Sequence, residues 1–406
     1  MENTAKRLIV DDSIIVKGAT CAAGSKMLAN FCPPYQATAI DRALSAGYEI
    51  VGRADIDEFG LLGSGESCYN GPTTHPKDAT RTASAAAAAV INGSADVAMI
   101  TDSGPASRLA ATSGCVAFRP TYGSVSRVGI IASVSSSEQI SAVAADTATA
   151  ADLIAAVAGH DRLDATSMKK TAYNYDCPAS VEGKKYAIIV NELNPNATEQ
   201  TMRALAAADM ALREAGASVE PIALRHLDMA GMAYMIMSAA ETCNNISRFD
   251  GVKYGYRAAE YSNIEELYRR SRSEAFGLQT KLTAMLGTHF LSKGNYEQYY
   301  YKALQVRRLL RNVFSEVFSV FDALLMPASA TTAYPLGVQG QTHLAESDLF
   351  YTAPAAICGL PVAVLPWGSD EAGLPFALQV IAESNEDTEA LRVAKVLEII
   401  QKGGAC

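Results

Sequence analysis

PKDATRTASAAAAAVINGSADVAMITDSGPASRLAATSGCVAFRPTY, residues 76–122, alternates between two kinds of local signal. Ala85 to Val90 is a run of the best helix former closed by a valine, and Gly93 is placed to end the helix. Val97 to Ile100 is short and apolar, as a buried strand would be. It delivers the chain into a small-residue loop, Thr101-Asp102-Ser103-Gly104-Pro105-Ala106-Ser107-Arg108, and a second buried strand follows. Loops of this kind on either side of a helix and a strand can bring their tips together over a sheet edge, where catalytic sites are often built.

The stretch resembles the signature region of the amidase signature family, hydrolases and amidotransferases with a Ser–cis-Ser–Lys triad. In that family the second loop reads Thr-Asp-x-Gly-Gly-Ser-x-Arg, and Thr101, Asp102, Gly104 and Arg108 match it, as does the later Gly114-Cys115. The catalytic positions do not match. The nucleophile position falls on Ala106, the cis-Ser position on Thr82 and its neighbouring Ser on Ala83. In the strand that opens the chain, Arg7 to Val10, the family runs into Lys-Asp-Asn; the base Lys position is Asp11, in Asp11-Asp12-Ser13. Lys17 matches a separate Lys of the family. A methyl group cannot attack a carbonyl. Pro105, just before the nucleophile position, has no N–H to donate to an oxyanion. An Asp at position 11 would want a cation or would be held protonated by burial. The resemblance implies a structural ion pair between Asp102 and Arg108.

Further motifs spread over residues 7 to 400. Asp55-Ile-Asp-Glu-Phe resembles the family's Asn-Met-Asp-Glu-Phe, and Arg119-Pro-Thr-Tyr-Gly-Ser-Val-Ser-Arg matches its Lys-Pro-Thr-Tyr-Gly segment. The acidic group Asp55, Asp57 and Glu58 reads as loop caps and hydrogen bonds, with no His at ligand spacing and no metal expected. His160, in Gly-His-Asp, reads as structural. Residues 143–158 read as an alanine-rich helix, and strand–helix–strand alternation from Lys184 to Pro221 is an α/β signal. The block Glu241 to Arg257 resembles GatA, the amidase component of the Glu-tRNA(Gln)/Asp-tRNA(Asn) amidotransferases. There the glutamine donor is held by an Arg and an Asp. Here the Arg position falls on Thr283 (or Leu282) and the Asp position on Leu349, with Asp348 one residue off register; a Tyr on that face is Tyr234. Thr or Leu cannot replace a planar charged donor.

Composition narrows the class. With 406 residues, 49% hydrophobic and 19% charged, the chain has ample material for a large core. A net charge of −9 without a dense Lys/Arg tract argues against direct nucleic-acid binding. Eight scattered cysteines with no Cys-x-x-Cys suit reduced thiols, and no apolar run reaches transmembrane length, so a soluble cytoplasmic protein without membrane contact is expected.

The resemblance implies an α/β fold, a central mixed β-sheet covered by helices on both faces. One amidase-signature-like domain over residues 1–406 is expected, lacking the family's N-terminal helical extension. Function divides three ways. The first is a catalytically inactive GatA-like pseudoamidase, a scaffold or regulatory subunit beside GatB/GatC-like partners or an active paralogue. The second is a small-molecule-binding protein reusing the old amide pocket, with Asp11, Thr82, Ser103, Gly104, Ala106, Tyr234, Thr283 and Asp348 as lining candidates. The third is an amidase with a rebuilt site, its nucleophile drawn from Ser84, Ser103 or Ser107 and its base from Lys17 or Asp11. No cofactor is implied.

Overall fold

A computed structural model of the chain describes residues 5–170, 172–190, 197–337 and 342–404, the side chains of 342–347 excepted. Its strands are β1 (Lys6–Asp11), β2 (Tyr48–Ala54), β3 (Thr74–His75), β4 (Asp78–Thr82), β5 (Val97–Asp102) and β6 (Val116–Arg119). They continue with β7 (Gln139–Ala144), β8 (Lys185–Ile189), β9 (Ser218–Ile222), β10 (Ala323–Pro327), β11 (Val362–Ser369) and β12 (Pro375–Ala382). The helices are α1 (Thr38–Ser45), α2 (Ala85–Ile91), α3 (Pro105–Ser113), α4 (Thr147–Val157), α5 (Glu199–Glu214) and α6 (Ala230–Ile246). After these come α7 (Ile264–Ala275), α8 (Leu278–Leu291), α9 (Tyr300–Phe318), α10 (Thr342–Cys358) and α11 (Asp387–Gln401).

Ten strands form one sheet in the order β2-β1-β5-β7-β6-β11-β12-β10-β8-β9, and β3 pairs with β4 apart from it. The ends are parallel, β2-β1-β5 on one side and β10-β8-β9 on the other. The middle is antiparallel. The sheet is therefore mixed, as the resemblance implies.

Both faces are buried, and the period of two shows it. Leu8, Val10, Leu325 and Val380 pack among α1, α4, α5 and α11, while Leu324, Met326, Val362 and Ile381 pack among α6, α9 and α10. Ile9, Ala98 and Ile100 turn to α2 and α3. α7 and α8 lie outside the main layers, with α8 packed on α6.

The helix expected over 143–158 is shorter than the alanine content suggests. Val143 and Ala144 belong to β7, which pairs with both β5 and β6. The helix starts only where Asp146 accepts a hydrogen bond from Thr149 N. A fully buried strand and an alanine-rich helix present the same unbroken apolar run, so periodicity cannot place the join.

Candidate functional site

β1 and β5 are parallel neighbours, with Val10 opposite Met99, so their C-terminal ends emerge side by side. Such an edge is where open α/β sheets present ligands. Asp11 closes β1 and is fully buried. One carboxylate oxygen accepts Ser13 N at 2.9 Å and Ser13 Oγ at 2.7 Å; the other accepts Thr101 Oγ1 at 3.0 Å and the Thr101 N–H. Desolvation raises its pKa above the usual carboxylate value, and these bonds pull part of the way back. Four neutral donors, not a cation, hold the position where the resemblance places a Lys. Lys17 is exposed and lines no cavity described below.

After β5 the chain turns through Gly104, at φ 133°, into Pro105 at the first position of α3. Pro suits that position because its missing N–H would be unpaired there anyway. Asp102 folds back over this turn. Its Oδ1 accepts Gly104 N at 2.7 Å and Ala106 N at 3.1 Å, and its Oδ2 accepts Ser107 Oγ at 2.6 Å. The backbone donors nearest the old nucleophile position are thus already bound to a carboxylate.

The ion pair expected between Asp102 and Arg108 does not form. Arg108 Nη1 meets Asp348 Oδ2 at 2.7 Å, and Nη2 donates to Gly63 O at 2.5 Å. Asp348 Oδ1 also accepts Tyr334 OH at 2.8 Å and Ser329 Oγ at 3.2 Å. The reason is occupancy: Asp102 is saturated by its own turn, with Arg119 4.0 Å away, so Arg108 finds its carboxylate on α10. Burial pushes the Asp348 carboxyl up, and the Arg108 charge offsets part of that.

The lining candidates do not share one pocket. Asp11 and Ala106, with Ala83 and Ser84, line a cavity of about 50 Å³. Tyr234, Thr283 and Asp348, with Pro105 and Leu349, line a second of about 90 Å³. Thr82, Ser103 and Gly104 line neither. The divider is the segment 60–65, whose Gly60, Gly63 and Gly65 face the first cavity while Leu61 and Leu62 face the second. Gly63 lies so close that a Cβ there would come within 2.5 Å of Pro105 Cβ. Thr82 is buried in β4 with its N–H on Tyr334 O and its hydroxyl unpaired. Ser103 Oγ is 2.9 Å from Tyr234 OH. Burial pushes the Tyr234 phenol up to about 12.

The replacement nucleophiles are likewise engaged. Ser84 Oγ accepts Ala87 N as the cap of α2, Ser103 is bonded to Tyr234, and Ser107 to Asp102. The acidic loop residues work as read: Asp57 accepts from Ser64, Gly65, Glu66 and Ser67, and Glu58 from Ser25, Gly277 N and Thr280. His160 accepts Arg42 through its carbonyl. Sequence reasoning missed the Arg108–Asp348–Tyr334 cluster, because Arg108 lies more than two hundred residues before the other two. It could have found the Asp102 cap, since Asp followed by Ser-Gly-Pro is a helix-start signal.

Three comparisons bear on this site. The Amidase family profile matches residues 8–391. The chain is 36% identical over 402 residues to the A-type subunit of the glutamyl-tRNA(Gln) amidotransferase of Acidobacterium capsulatum, covering 97% of this chain and 84% of that protein. Its counterpart from Symbiobacterium thermophilum is 36% identical over 404 residues, with 97% and 82% covered. Among solved structures, the corresponding glutamyl-tRNA(Gln) amidotransferase subunit of Thermotoga maritima superposes with a TM-score of 0.81 at 29% identity, covering 97% of this chain and 83% of that one. The peptide amidase of Stenotrophomonas maltophilia, at 22% identity and a TM-score of 0.78 over 99% of this chain and 83% of its own, shares the fold.

Proposed function

This chain belongs to the amidase family, and from that premise we propose that it is a GatA-like member which has kept the fold and given up amide hydrolysis. In this reading residues 1–406 form one amidase-signature-like domain in the cytoplasm. It acts as a non-catalytic scaffold or regulatory subunit of a tRNA-dependent amidotransferase-like complex. One observation carries the proposal: the methyl of Ala106 stands at the nucleophile position, at the start of α3 directly after Pro105. A methyl group supplies no attacking lone pair. Pro105, just before that position, has no N–H to offer a developing oxyanion. At the base position, Asp11 is bonded to Ser13 and Thr101 and not to any of the three candidate serines.

The partner follows from the relatives, which are named as one subunit of an amidotransferase. GatB/GatC-like proteins or an active paralogue are the partners to try. No helix among the described residues is long and apolar enough to cross a membrane. A second reading, ligand binding without catalysis, is favoured by the two cavities that survive beside the lost triad.

The test is ammonia release from glutamine and asparagine by the purified chain, alone and with GatB/GatC-like proteins from the same source. The expected result is a stable complex and no ammonia above a no-protein blank. Ammonia release that follows the protein through purification would overturn the reading.

A further inference from the structure

The 90 Å³ cavity has an unusual balance of polar groups. Among the described residues, the one charged side chain on its wall is Asp348, and that carboxylate is matched by Arg108 and bonded by Tyr334 and Ser329. Thr352 Oγ1 is spent on the Asp348 carbonyl, and Tyr234 OH on Ser103. Ser238 Oγ is different. It is buried on this wall with only the Tyr234 phenol to engage it, and that contact falls short of a well-formed hydrogen bond. A buried hydroxyl without a partner is uncommon and is satisfied when a ligand brings one. The mouth is apolar: Leu62 and Leu286 line it and remain 38% and 43% exposed, and Met285, one residue along α8, is 70% exposed.

We propose that this cavity binds a neutral, largely apolar small molecule bearing one hydrogen-bonding head group, with the head on Ser238 Oγ and the body running out between Leu62 and Leu286. An α-amino acid does not fit this chemistry. Its ammonium and carboxylate would each need an unspent countercharge, and the wall offers none, so both would be desolvated without compensation. The inference goes beyond the loss of hydrolysis proposed above and deepens the ligand-binding reading. It concerns what the cavity accepts, whichever partner the chain has.

The experiment uses the full chain with methyl-labelled methionine and follows Met235, which lines the cavity and is assigned through Met235→Leu. The probes are pentan-1-ol, pentanoate and pentylammonium, alike in length and differing in charge, and glutamine. Pentan-1-ol is expected to shift the Met235 methyl saturably, with both ions at least tenfold weaker and glutamine without effect. Ser238→Ala is expected to weaken pentan-1-ol about threefold or more, the loss of roughly one hydrogen bond. Thr283→Arg, a change on the same wall, is expected to reverse the order so that pentanoate binds better than the alcohol. Equal binding of the ions, tighter binding of glutamine, no Met235 shift with pentan-1-ol, or an unchanged affinity in Ser238→Ala would each overturn the proposal. Pentan-1-ol contains no amide, so this result and the ammonia result succeed or fail independently.

Discussion

At the scale of single residues the chain departs from the Ser–cis-Ser–Lys pattern by more than a missing hydroxyl. Ala106→Ser alone is expected to leave ammonia release at the blank, because Pro105 still lacks an N–H for an oxyanion and Asp11 still stands at the base position. Release brought about by that one change, read in a glutamate dehydrogenase-coupled assay, would mean that neither a Lys at position 11 nor an N–H at position 105 is required. The Arg108–Asp348 pair makes a second prediction. Both side chains are almost fully buried, so Asp348→Asn or Arg108→Ala strands a charge and is expected to cost about 3 kcal/mol or more in urea unfolding. Arg108→Met with Asp348→Leu removes both charges and is expected to cost much less than the sum of the singles. Additive losses would show that the pair itself is not what matters. Asp11 and Ala106 were legible as neighbours from the resemblance, and they do share a cavity. The Asp102–Arg108 pair implied by the resemblance fails because the carboxylate that satisfies Arg108 arrives from α10.

At the scale of elements, α8 is turned inside out relative to an ordinary surface helix. Its buried positions include the small Thr280 and Gly287, while Leu278 and Met285 are 69% and 70% exposed. Small inward residues let it lie close on α6. A Cβ at Gly287 would run into Ala239 O and stand 2.5 Å from Cys243 Cβ. Gly287→Ala therefore sets two effects against each other. Helix propensity favours alanine by about 1 kcal/mol. Forcing α8 off α6 costs about 1–3 kcal/mol, because the nearest obstacle is backbone and cannot turn aside. The expected outcome is net destabilisation with the urea midpoint lowered, and a stabilised protein would refute the close contact. Elements with strong local signals were readable: the alanine run from Ala85 and the stop at Gly93 bracket α2 to within a residue or two. The division of the old pocket was not. It depends on segment 60–65, where Leu62 takes a positive φ of 69° and Gly63 lies against Pro105, a tertiary contact with no local signature.

At the scale of the whole molecule, the mixed sheet follows from family resemblance more than from any local pattern. Buried strands at both parallel ends and in the antiparallel middle carry the same apolar runs, so strand order is not encoded in composition. What holds the layers together also includes buried carboxylates, and these give the fold a dependence on pH. Glu138 is buried just before β7 with Ser133 N on one oxygen; desolvation raises its pKa to about 7, while Arg127 lowers it and Asp11 and Glu241 raise it. A carboxyl whose folded pKa lies above its unfolded value binds more protons in the native state, so stability falls as pH rises between the two values. The window runs from about 4.5 to about 7, and its full depth is roughly 3 kcal/mol. Glu138→Gln, which keeps the shape without the charge, is expected to flatten the urea-midpoint profile across that window and to be more stable than the parent at pH 8. The same substitution should bring no advantage at pH 4.5, where the parent is already protonated. A parent protein that gains stability from pH 5 to pH 7, with Glu138→Gln following it in parallel, would place the proton elsewhere and leave Glu138 ionised in the folded chain.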